Sequence, residues 1–258
     1  MAKQWVKFPH ADKAYVYDAA ALKKHWGRLH RGDAEQFPED EAVQTAWRHY
    51  HAGEFQRAVA AGIGAGGPGA NAAVKAQAIY ANYLEKTQKT KLALLEEAAA
   101  WAAERRASAP KDPNGHYLYA YALGRYGQGI SVVKALAQGF GGKIRAALAR
   151  ALELAPSHPD AHIAYGAYQA EVVNKVGALV AGMTYGAKKD SALEHFRKAV
   201  KLNPDSAIAR IEYANGLILL FGKEKLDEAT KLYEQAAECT PVDAMERLDV
   251  ELARSELE

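Results

Sequence analysis

The feature that most constrains this chain is a phrase that returns along its C-terminal half. Ala192, Phe196, Ala199 and Pro204 stand in "SALEHFRKAVKLNP", and Ala229, Tyr233, Ala236 and Pro241 take the same places in "EATKLYEQAAECTP". A third copy, "KIRAALARALELAP", carries Ile144, Leu148, Ala151 and Pro156. Small residues at the third place, and at the first in two of the three copies, admit a neighbouring helix, and the larger residue between them fills the space. The proline stops the helix, and polar residues around it start the next. Each phrase is followed by another helical pattern, "DAHIAYGAYQAEVV" and "SAIARIEYANGLILL" among them. A weaker copy, "AWRHYHAGEFQRAV", lies near the N-terminus. A short unit that cannot bury its own apolar face must stack on its neighbours.

The rest of the sequence agrees with an all-helical reading. Alternating β-branched runs are missing, and Ala, Leu, Glu, Lys and Arg dominate stretches with apolar i, i+3, i+4 spacing. The spacing predicts a helix near 18–30, helix pairs near 40–52 and 54–66, then 71–85 and 90–108. Expanded units follow near 114–155 and 159–202, then a regular unit near 205–240 and a charged closing helix near 242–256. The expected division is a helical region with one degenerate pair over 1–70, a solenoid over 71–241 and a cap over 242–258.

Proline spacing shows where the units differ. Pro204 to Pro241 covers 37 residues, but Pro156 to Pro204 covers 48 and Pro110 to Pro156 covers 46. The excess falls between the two helices of each expanded unit. The two inserts resemble each other, "VKALAQGFGG" at 133–142 and "VGALVAGMTYG" at 176–186. Burying Leu179, Val180, Met183 and Tyr185 gains roughly 1.5–3 kcal/mol each, so these side chains are expected to find cover. They can plug the solenoid groove, wall a cavity, or meet a membrane or partner. Glycine permits the sharp inward turns that the first two need.

The Ala/aromatic/Ala/Pro grammar resembles the tetratricopeptide repeat (TPR), a helix–turn–helix unit. The implied fold is a right-handed solenoid of TPR-like hairpins with two expanded connections and a C-terminal capping helix. The tract from "GHYLYAYALGRYGQ" through "ALELAPSHPDAHIAYGAYQAE" to "SALEHFRKAVKLNPDSAIARIEYANGLILL" is similar to the regulator-of-microtubule-dynamics family over roughly 90–240. It also resembles bacterial TPR proteins associated with TRAP transporters, whose repeats surround a cavity. These resemblances imply a binding module rather than an enzyme, with lipids or other hydrophobic ligands among the guests.

Aligning the units places Tyr117, Tyr121, Ile163, Ala167, Ile211 and Asn215 on the inward face. Only Asn215 suits a carboxylate clamp of the chaperone-binding kind. An aromatic and aliphatic lining suits an apolar ligand or helix, though the same spacing fits plain core. With Leu179, Met183 and Tyr185 from the second insert, these residues form the candidate ligand site. The alternative is a protein scaffold that holds no small ligand.

Other chemistry lacks its context. Gly62, Gly64 and Gly67 satisfy G-x-G-x-x-G but follow a helix instead of a strand. "GFGGKI" has Ala137 and Ile144 where a P-loop needs glycine and a hydroxyl. His158 and His162 are four apart, but Pro159 moves His158 to the helix cap; His195 is expected to pack beside Phe196. No catalytic, cofactor or metal set emerges. Cys239, the single cysteine, excludes an internal disulfide. Lys and Arg total 33 against 31 acids, which argues against a nucleic-acid partner. No apolar run is long enough to span a bilayer. The chain as it stands is expected to be cytoplasmic, or periplasmic if a leader has been removed.

Overall fold

The computed structural model describes residues 4–258, and it is all-helical. Helices α1 (Ala19–Leu29), α2 (Glu41–His51) and α3 (Phe55–Ala65) precede α4 (Gly69–Tyr83) and α5 (Gln88–Ser108). The first expanded unit comprises α6 (Pro113–Ile130), α7 (Val132–Ala137) and α8 (Phe140–Leu154). The second comprises α9 (Pro159–Val176), α10 (Ala178–Val180) with a π turn over Ala181–Tyr185, and α11 (Lys189–Leu202). Then come α12 (Ala207–Phe221), α13 (Leu226–Ala237) and α14 (Ala244–Ser255).

Helix starts follow from local chemistry. Asp18, Asp40, Asp112, Ser206 and Asp243 each accept a hydrogen bond from a first-turn amide. Pro113 and Pro159 sit in the first turn, where a missing N–H costs nothing. At α9 the cap is His158, whose ring Nδ1 accepts from Ala161 N–H at 3.1 Å.

Consecutive helices pack as hairpins: α2 with α3, α4 with α5, α6 with α8, α9 with α11, and α12 with α13. Each pair also packs on the next. The repeated large residue is the knob that joins them. Phe196 is fully buried, pressed against Gly166 of α9 and Gly216 of α12. Ala192, Ala199, Ala229 and Ala236 are fully buried at the small positions.

The N-terminal region has its own aromatic core of Trp26, Trp47, Tyr50 and Phe55, continuous with α4 and with Ala244 and Leu248 of α14. It also reaches the far end of the chain. The Tyr17 hydroxyl donates to Val242 C=O at 2.7 Å, and Arg28 makes a two-bonded pair with Glu246. The first and last helical elements therefore close on each other across the solenoid.

Candidate functional site

Helices α6, α7, α8 and α9 surround an apolar cavity of about 120 Å³. Tyr117 and Tyr121 of α6 stand one turn apart, with ring centroids 6.1 Å apart. Ile163, Ala167 and Tyr168 of α9 form the facing wall. The first insert supplies a third wall through Val132, Ala135, Leu136, Phe140 and Gly141. Gly141 lets the inserts approach closely, because a Cβ there would stand 2.7 Å from a Leu136 methyl and 3.1 Å from the Tyr185 ring, and both side chains would have to shift. Met245 of α14 also reaches the lining.

Polar groups gather at one side. Arg125 pairs with Glu212 at 2.6 Å, and its guanidinium lies 5.4 Å from the Tyr121 ring centroid. Gln128 bridges this pair to Glu171, whose carboxyl is pushed up by burial. Across the ion pair lies a second hollow of about 280 Å³, which reaches Asn215, Ile218 and Leu219. Burial raises Tyr117 and Tyr121 above the usual phenol range, so both hydroxyls stay protonated at neutral pH.

The residues singled out in the sequence fall into three places. Tyr117, Tyr121, Ile163 and Ala167 line the cavity together. Ile211 is 1 % exposed and packs in the core, while Asn215 borders the second hollow and accepts from the Tyr233 hydroxyl. In the second insert, Tyr185 is half-buried against Gly141, and its carbonyl accepts from Tyr168 at 3.4 Å. Leu179 and Met183 point to solvent, 75 % and 82 % exposed. The two inserts thus differ: the first walls the cavity, whereas the second turns its tip outward.

A second cluster escaped sequence reasoning altogether. Residues 30–35 run over the starts of α4, α6 and α9. Asp33 accepts from Lys75 at 2.6 Å and meets His30 Nδ1 at 2.9 Å. Glu35 accepts from the Asn71 and Asn114 amides at 3.0 and 2.8 Å, and Asp160 N–H donates to Gly32 C=O at 2.9 Å. His51 continues the chain from His30 (3.2 Å between Nε2 atoms) to Asp243 (2.7 Å). Burial opposes ionisation of Asp33, but Lys75 and His30 outweigh it and hold the carboxyl well below its usual range. Burial, with Asp33 and Asp112 nearby, lifts Glu35 to about 8. Among the described residues, no three His, Cys, Asp or Glu side chains converge as a metal site. The cluster pins the N-terminal region to the solenoid.

Residues 72–257 match the family described as regulator of microtubule dynamics protein 1-3. The chain is a member of that family. The match begins within α4 and takes in both inserts, the cavity and α14, leaving α1–α3 outside. Among solved structures, this member of the regulator of microtubule dynamics family is similar to a thermophilic TPR protein of Thermus thermophilus. The TM-score is 0.57 at 18 % identity, over 84 % of this chain and 100 % of the other. That likeness shows the TPR-like fold. No curated protein matches in sequence. Neither the family nor the structural match supports the resemblance to TRAP-associated proteins. Among the described residues, no helix is long and apolar enough to cross a membrane.

Proposed function

We propose that this chain is a non-catalytic TPR-like binding module whose cavity takes a hydrophobic small molecule or the end of an acyl chain. The observation that carries the reading is the placement of the first insert. Val132, Leu136 and Phe140 line the same unfilled space as Tyr117, Tyr121 and Ala167. Packed interiors rarely leave such a gap, and an apolar one favours an apolar guest over water.

Size limits the guest. An apolar cavity of about 150 Å³ admits benzene, whereas drug-sized ligands occupy roughly 300–1,000 Å³. At about 120 Å³ the cavity suits a single ring or a few methylenes. A longer chain would extend past the Arg125–Glu212 pair into the hollow at Asn215 and Leu219, and Arg125 would then stand beside any acidic head group.

Native mass spectrometry with lipid extraction, followed by titration of a fluorescent fatty acid, tests the proposal. Ala167→Trp should plug the cavity and weaken binding about tenfold or more, the worth of roughly 1.4 kcal/mol. The alternative, a protein scaffold with no small ligand, is the general use of repeat solenoids. It requires an empty protein, no fatty-acid affinity, and no effect of Ala167→Trp on partner binding.

A further inference from the structure

The outward tip of the second insert has a use that the cavity does not explain. Leu179, Val180 and Met183 are 75, 47 and 82 % exposed, and Val133 of the first insert is 58 % exposed. The two inserts touch, with the Tyr185 ring against Gly141 and Gly186 against the Arg145 guanidinium. Large apolar side chains left in water forgo their burial energy, and clustered ones mark an interaction surface.

Charge around this tip is one-sided. Between Ile130 and Glu153 the chain holds Lys134, Lys143, Arg145 and Arg150 with no acid, and between Glu171 and Asp190 it holds Lys175, Lys188 and Lys189 with none. Acids thus flank the two inserts but do not enter them. The whole chain is nearly balanced at +2, so this asymmetry is local. Arg150 is paired with Glu153, and Lys189 donates to Leu220 C=O. Lys134, Lys143, Arg145, Lys175 and Lys188 are exposed, and none takes part in an ion pair among the described residues.

We infer that the two inserts form a docking surface for an anionic lipid bilayer, with Leu179, Val180 and Met183 entering the interface and the lysines meeting acidic head groups. Charge decides between occupants. A second copy of this chain would bring two cationic collars together in a self-complementary contact, which like charges oppose. An acidic polypeptide would satisfy the lysines but leave the protruding Leu179 and Met183 unexplained. A bilayer interface accepts both, because apolar side chains sink below head groups that attract cations. This inference goes beyond the proposed ligand and does not depend on it.

Flotation of the full chain with phosphatidylcholine vesicles, with and without phosphatidylserine, tests the surface. Wild type should float with the anionic vesicles, lose most binding in high salt, and bind pure phosphatidylcholine weakly. The double variant Leu179→Asp/Met183→Asp should lose roughly tenfold or more, and Lys134→Glu/Lys143→Glu a comparable amount, since each lysine near such a surface is worth about fivefold. All four side chains are exposed, so an unchanged circular dichroism spectrum is expected. Ala167→Trp should float normally, which separates this surface from the cavity.

Equal flotation of wild type and the Leu179/Met183 variant would overturn the inference, as would no preference for anionic vesicles. So would a wild-type dimer that Met183→Asp makes monomeric. Binding to soluble polyglutamate that the Leu179/Met183 variant retains would assign the collar to an acidic polypeptide instead.

Discussion

Ser131 and Gly177 occupy the same place in successive repeats, each the residue that links a first helix to its insert, and both have positive φ. The values are +98° for Ser131 and +78° for Gly177, with ψ at 127° and 155°. Glycine enters this region freely, whereas a side chain there costs of order 1–3 kcal/mol. Ser131→Gly is therefore expected to stabilise the protein by about 1 kcal/mol, net of glycine's greater freedom when unfolded. Gly177→Ser should destabilise it by a similar amount. Urea denaturation of the two variants measures both signs.

A second glycine is fixed by contact rather than by backbone angle. Gly216 lies in mid-helix in α12, where alanine would ordinarily be preferred, but a Cβ there would run into the Phe196 ring. Gly216→Ala should cost about 1–3 kcal/mol from overpacking. Gly27, exposed in α1 with no atom near the place of its missing Cβ, is the control. Gly27→Ala should stabilise by about 0.5–1 kcal/mol through helix propensity. Thermal unfolding of both variants separates contact from propensity.

Phe196 also shows why so much of the fold could be read from the chain. The Ala192/Phe196/Ala199 spacing acts within two helical turns, and its meaning, a knob between small residues, is local. The inserts were legible for a similar reason, because proline spacing counts residues between helix ends. Their destinations were not. Leu136 and Leu179 carry the same side chain in similar glycine-punctuated tracts, yet one walls a cavity and the other faces water. Nothing in local periodicity separates them. Tyr117, Ile163 and Ile211 hold corresponding places in their repeats, yet the first two line the cavity and Ile211 is sealed into the core, a difference set by the neighbouring helices and not by the repeat. The cluster about Asp33 was invisible for a further reason: its partners are scattered from His30 to Asp243, and residues 30–35 follow no period.

His158 gives the fold a defined acid sensitivity. Its Nδ1 accepts from Ala161 N–H, so Nε2 carries the proton and donates to Asn114 Oδ1 at 2.9 Å. A second proton would have to displace the cap bond in a site cut off from water, and burial accordingly lowers the pKa to about 4. The folded value lies below the ordinary one near 6.5, so the unfolded chain binds the extra proton first. Stability is full above about pH 6.5 and falls as pH drops toward 4, by about 3 kcal/mol in total. Glu35 works the other way, since its raised value near 8 favours the folded state at lower pH. His158→Asn keeps a capping oxygen and removes the titration. The difference in urea midpoints between wild type and this variant should therefore shrink on moving from pH 7 to pH 4.5.

Lys75 holds the N-terminal region through charge. Its ammonium lies 2.6 Å from Asp33 and 3.7 Å from Asp160, and all three side chains are nearly buried. Burial pulls its pKa down, but the two carboxylates outweigh that and keep it charged. Lys75→Met would leave two buried carboxyls without their cation, at an expected cost of about 3–5 kcal/mol. Adding Asp33→Asn removes one of those charges, so the double variant should be more stable than Lys75→Met alone. The coupling should fall within roughly 0.5–3 kcal/mol. The penalty should also depend on pH. Without Lys75 the folded carboxyls titrate above their unfolded values, so the variant's deficit is smallest below the unfolded carboxyl pKa and grows as pH rises. Urea denaturation of the four proteins at pH 5 and pH 8 checks this. A deficit equal at both values, or no rescue by Asp33→Asn, would mean that Lys75 acts through its packed stem rather than its charge.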